Sequence, residues 1–266
     1  MPFHPQEAYQ CGPAALATAL ASVGIRRSPD QLRDEVYIPA RQGSLQPEML
    51  AAVRRAGAIP YRLAPEPQAL LKELAAGHPV VVLQNLRFDW APQWHYAVAV
   101  GYDLPAGQVI LRSGVEKRLV MDLGAFDRSW AKAGRWAFVA LPPEQLPAAA
   151  NETDYVAAAV ALERVVPEAA EKAYGTALKT WPGNLLARIG IGNAAYRRGD
   201  LAAAEAAFRQ AVDEHPASGD AWNNLAQTLH ERGNQPAARE AAERAVAIGG
   251  PRLPIYRQTF KTVSGG

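Results

Sequence analysis

The second half of the chain repeats itself with a fixed period. Pro182 and Pro216 stand 34 residues apart, as do Gly199 and Gly233, Ala187 and Ala221, and Ala211 and Ala245. The segment is Ala-rich and reads as helical throughout. Gly199-Asp200-Leu201 and Gly233-Asn234-Gln235 are equivalent turns between paired helices, and Asp220-Ala221-Trp222-Asn223-Asn224-Leu225 opens a repeat with W-x2-L. One period earlier, Tyr174, Ala177 and Pro182 align with Phe208, Ala211 and Pro216, while Val165 replaces the turn glycine. That predicts about three helix pairs over 153–249, the first degenerate. Such units bury their apolar faces by stacking on one another, which yields a curved surface with a concave groove. The tail from Pro251 to Gly266 either docks on this array or frays.

The first half is organised differently. Helical patterns come early: Cys11 to about Gly24, a short helix capped by Ser28 and Pro29, another over 44–56, and Pro67 to Ala76. Strands follow, at 79–84, 95–102, 108–113, 117–122 and 136–141, with a short helix at 125–133. Helices before an antiparallel sheet define an α+β order. Pro142 to Glu152 is rich in Pro and Ala and reads as a connector. The expected domains are therefore 1–142, a linker at 143–152, and 153–266.

Cys11 is the only cysteine. It is followed by Gly12-Pro13 and an Ala/Leu run, so it lies at or just before a helix N-terminus, whose partial positive charge favours a thiolate. A lone cysteine is otherwise a small buried hydrophobe. The second feature is distant. Trp94-His95-Tyr96-Ala97-Val98 reads as a strand that begins with a histidine, and one Cys with one remote His is the pattern of a thiol hydrolase. His78, in the Gly-His-Pro boundary of another strand, matches no catalytic spacing and reads as a solvated turn residue. Trp90 and Trp94 flank the His strand and serve either packing or the wall of a substrate groove.

Q-x4-C-G-P-A-A-L over 6–16, followed by H-Y-x-V-x-V-G-Y-D over 95–103, resembles the bacteriocin-processing, double-glycine-leader cysteine peptidases and their stand-alone relatives. The resemblance covers roughly 1–142 and implies a papain-like domain with Cys11 as nucleophile and His95 as general base. It implies Gln6 as an oxyanion-hole residue, although Gln6 lies five residues before Cys11 where six is usual, and the adjacent Gln10 competes for the role. The family orients its His with an Asp or Asn on the next strand. Here Ser113 stands at that point. Asp103 is a poor substitute, because eight strand residues place it about 26 Å from His95. A Ser hydroxyl can accept the imidazole N–H but supplies no charge. The second half resembles tetratricopeptide repeats.

These resemblances imply a cysteine peptidase acting on a peptide or protein, with Gly-Gly an inherited preference. The repeats would recruit substrate or a protein partner through their groove, or serve as a spacer. The alternatives are a catalytically degenerate peptide-binding adaptor and a papain-like acyltransferase. Net charge is +2, which gives no case for nucleic acid. There is no apolar run of membrane-spanning length and no metal-ligand spacing, and no cofactor is expected. No signal peptide precedes Cys11, and the relatives often carry one, so an extracytoplasmic mature form is expected over a cytoplasmic one.

Overall fold

The structure, a computed structural model, describes residues 3–5, 11–41 and 43–265. The chain divides into two compact units, residues 1–169 and 170–266.

The first unit is built around helix α1 (Cys11–Ser22), in which every residue from Gly12 to Leu20 is buried. A helix that is apolar and small-sided all round belongs inside a core. Helix α2 (Pro29–Val36) starts where the sequence predicts. Ser28 accepts from Gln31 N–H and the Gln31 side chain returns to Ser28 N–H, a reciprocal cap that satisfies two orphan donors. Two short strands then pair with each other, β1 (Tyr37–Ile38) and β2 (Gly43–Ser44). Helix α3 (Gln46–Arg55) follows. Its neighbour Ser44 packs so closely on α1 that a Cβ at Gly12 would lie 2.4 Å from Ser44 Oγ. Only glycine fits beside Cys11.

The remaining strands are β3 (Ile59–Arg62), β4 (Val80–Asn85), β5 (Trp94–Asp103), β6 (Gln108–Ser113), β7 (Glu116–Asp122) and β8 (Ala137–Leu141). They form one antiparallel sheet in the order β3-β8-β4-β5-β6-β7. Val81, Leu83, Tyr96, Val98 and Phe138 pack with α1, α2 and α3 into one core. The alternating residues Val80, Val82, Ala97 and Ala99 are fully buried on the other face, as the pleat requires. Helices α4 (Pro67–Ala75) and α5 (Leu123–Ala131) pack against β4, and Gln84 Nε2 donates to Ser129 Oγ of α5 at 2.7 Å.

The proline-rich stretch read as a connector is fixed to this unit. Ala149 N–H donates to Glu73 Oε1 at 2.7 Å, and Asn151 N–H donates to the Tyr61 hydroxyl at 3.1 Å. His78 is buried, not solvated as its sequence position suggests. Its Nδ1 lies 2.6 Å from Glu73 Oε2 and its Nε2 2.6 Å from the Gln145 amide nitrogen. With the proton on Nδ1, the ring donates to the carboxyl and accepts from the amide. Helix α6 (Glu152–Glu163) then packs against β3.

Helix α7 (Pro167–Thr180) leads into the second unit, which continues with α8 (Leu185–Arg197), α9 (Leu201–Glu214), α10 (Gly219–Glu231), α11 (Gln235–Ile248) and α12 (Leu253–Ser264). The 34-residue period is visible in its caps. Asn184 and Ser218 cap α8 and α10, and Asp200 and Asn234 cap α9 and α11, each accepting an N–H three residues on. Gly199 and Gly233 hold φ of 75° and 78° at the turns, a conformation that favours glycine. The tail docks: Tyr256 of α12 is buried, and its hydroxyl donates to Asp220 Oδ1 at 2.7 Å.

Candidate active site

Cys11 is the first residue of α1 and is half-buried against the core. Pro13 is therefore the third helical residue, one of the first-turn positions whose N–H has no helical acceptor anyway. The thiol meets three backbone N–H groups, those of Tyr96, Gly12 and Cys11 itself, which draw its pKa down. Burial acts in the opposite direction and dominates, so the thiol pKa is pushed above its ordinary value. The helix terminus is present as the sequence predicts, but its field does not outweigh the desolvation of the thiolate.

His95 is the second residue of β5, directly before the Tyr96 N–H that reaches the sulfur. The fold thus brings two residues 84 positions apart in the sequence to adjoining places. Burial pushes the imidazole pKa below its usual value. Desolvation acts on both groups in the same sense: it disfavours thiolate and imidazolium alike.

Ser113 ends β6, and its Oγ lies 2.7 Å from His95 Nε2. The β6–β7 pairing slips between Leu111 and Ser113, an irregularity of the kind that re-aims a side chain at a strand end. Asp103 is at the far end of β5, where its carboxylate accepts the Ala106 N–H of the turn. Gln6 and its competitor Gln10 lie outside the described residues.

Three features around the site were not foreseen from sequence. Tyr96 carries the N–H beside the thiol and packs its ring edge-on against Trp136; burial and the nearby Cys11 and Glu48 raise its phenol pKa. Ser44 accepts the Tyr96 hydroxyl at its carbonyl, 3.2 Å away. Asn85, at the end of β4, organises the loop that leads to His95. Its Oδ1 accepts from Arg87 and Gln93 N–H at 3.1 and 3.0 Å. An Asn after an apolar strand is an ordinary turn residue, so its sequence position gives no sign of this role. Among the described residues, no group of three or more His, Cys, Asp or Glu is placed to hold a metal.

A cysteine at a helix start, a histidine at the start of the facing strand and a strand-borne hydroxyl on its ring give a recognisable arrangement. The profile of the Peptidase_C39 like family matches residues 1–138. The chain belongs to that family. The tetratricopeptide-repeat profile matches residues 155–218 and again 189–252, so a helical repeat domain follows the C39-like domain. Among solved structures, one described as a C39-like peptidase from Bacillus anthracis is 17% identical, with a TM-score of 0.46, over 53% of this chain and 94% of that one. A crystal structure of MamA protein is 19% identical with a TM-score of 0.37, over 41% of this chain and 62% of that one. A second MamA structure is 18% identical with a TM-score of 0.37, over 56% and 86%. No curated protein matches the chain. Among the described residues no helix of the C39-like protein is long and apolar enough to cross a membrane.

Proposed function

We propose that the C39-like domain is a cysteine peptidase that works from a neutral thiol–imidazole pair. The observation that carries this reading is the hydrogen bond from His95 to Ser113. With Nε2–H donated to the Ser113 oxygen, Nδ1 keeps its lone pair and can take the thiol proton. Cys11 Sγ attacks the peptide carbonyl carbon as its proton passes to His95. The N–H of Cys11 and the Gln6 side chain hold the oxyanion. His95 then returns the proton to the leaving amine, and water, deprotonated by the same ring, hydrolyses the thioester. Burial of both groups supports transfer during attack over a resting ion pair. Peptides containing Gly-Gly are the substrates the resemblance favours.

The repeats supply a protein-interaction surface. Asn193 of α8 and Asn224 of α10 are joined at 3.2 Å, and Tyr196 of α8 bonds Glu231 of α10, so a polar stripe crosses both helices. We assign this stripe to a polypeptide partner or the substrate itself.

A second reading is a peptide-binding adaptor without turnover. It is favoured by the uncharged Ser113 in the place of an acid and by the raised thiol pKa. Incubating the protein with a pool of Gly-Gly-containing peptides and analysing the products by mass spectrometry decides between them. The peptidase reading expects new termini that vanish in Cys11→Ala and after thiol alkylation. Peptides retained intact by both proteins would overturn it in favour of the adaptor.

A further inference from the structure

The strand pair that carries His95 does not end at the site. Gln84 pairs with His95 and Asn85 with Trp94, and the hairpin then runs on through Leu86 to Gln93. Its tip presents four large apolar side chains to solvent: Leu86 at 46%, Phe88 at 62%, Trp90 at 85% and Trp94 at 53% exposure. Phe88 and Trp90 stack face to face, with centroids 5.7 Å apart and planes 10° from parallel. Contiguous exposed apolar surface of this kind marks a binding site rather than a core.

The hairpin is also held in shape. The buried Asn85 side chain accepts from Arg87 and Gln93 N–H and reaches the Phe88 carbonyl, Leu86 N–H donates to Gln93 O, and Lys132 Nζ donates to Arg87 O at 2.8 Å. A fixed platform costs less entropy on binding than a mobile loop. Trp90 precedes His95 by five positions, only the last two of them in β5, so the two lie no more than about 18 Å apart, a gap that an extended chain leaving the thiol covers in about five residues.

Resting on the peptidase reading, we propose that the Phe88–Trp90 stack, with Trp94 and Leu86, docks apolar side chains of the polypeptide substrate about three to six residues from the scissile bond. The platform sets selectivity: substrates are polypeptides with apolar residues at that distance, and polar sequences around the same bond are poor ones. Continuity with the His95 strand favours this occupant over a lipid surface, because the hairpin that carries the platform grows out of the Gln84–His95 and Asn85–Trp94 rungs beside the candidate site.

The test uses the full chain carrying Cys11→Ala, so that binding is read without turnover. Two synthetic peptides centred on Gly-Gly are titrated calorimetrically, one with Leu and Phe at the flanking positions and one with Ser and Asn there. The apolar peptide is expected to bind about tenfold tighter or more, and Trp90→Ala or Phe88→Ala to abolish that preference. Both rings are exposed, so these variants keep the fold. Equal binding of the two peptides, or an unchanged preference in Trp90→Ala, overturns the proposal. Binding of phosphatidylcholine–phosphatidylglycerol vesicles that depends on Trp90 while the peptide preference does not would assign the platform to membranes and overturn it too. Cleavage by the wild-type chain is scored separately. Selective binding without cleavage would sink the peptidase reading and leave the platform assignment standing.

Discussion

His95→Ala is expected to lower kcat/KM for peptide hydrolysis by about three to four orders of magnitude, with the fold intact. The ring has two jobs in the proposed chemistry, accepting the thiol proton and returning it to the leaving amine. Asp103, the nearest acid along the strand, is committed to the turn at the far end of β5. Ser113→Ala should cost much less, about tenfold, since the hydroxyl orients the ring without charging it. Steady-state kinetics on a cleaved peptide measure both. Equal losses for the two variants would mean that the ring and the hydroxyl act as one unit, contrary to this division of roles.

Glu73→Ala is expected to lower the unfolding free energy by about 3 kcal/mol. The Glu73 side chain is fully buried, and both its oxygens are used, one by Ala149 N–H and one by His78 Nδ1. Truncation leaves the buried His78 Nδ1 and the half-buried Ala149 N–H without their acceptor and loosens the stretch 143–151 that these bonds hold. Glu73→Gln keeps one acceptor and should lose about half as much. Urea denaturation followed by far-UV circular dichroism measures the difference. A change within about 0.5 kcal/mol, the range of ordinary surface substitutions, would mean the network is solvated in solution.

What could be read from the sequence divides along the range of the interactions. The cap at Ser28, the turns at Gly199 and Gly233 and the helical start at Cys11 are set by neighbours within a few residues, and those elements stand where the pattern places them. The α+β order and the helical repeats follow from such local signals. His78 shows the limit. Its partners lie five residues upstream and 67 downstream, so its Gly-His-Pro context suggested water where the fold supplies a carboxyl and an amide. The tail is similar, since α12 is held by Tyr256 on Asp220, 36 residues away. At the site, Cys11 and His95 were legible as residue types at a spacing. Their electrostatics were not, because the helix field is local while burial comes from the whole core.

The most direct test of a neutral pair steered by a hydroxyl is the pH dependence of Cys11 alkylation by iodoacetamide in the wild type and in Ser113→Asp. With the thiol pKa raised by burial, the wild-type rate should stay low near neutrality and climb only above the ordinary thiol value of about 8.5. A carboxylate beside His95 Nε2 favours the imidazolium, which in turn favours the thiolate, so Ser113→Asp should move the climb down by about one to three pH units. A wild-type thiol that already reacts fast at about pH 6, or profiles that superimpose for the two proteins, would contradict the account.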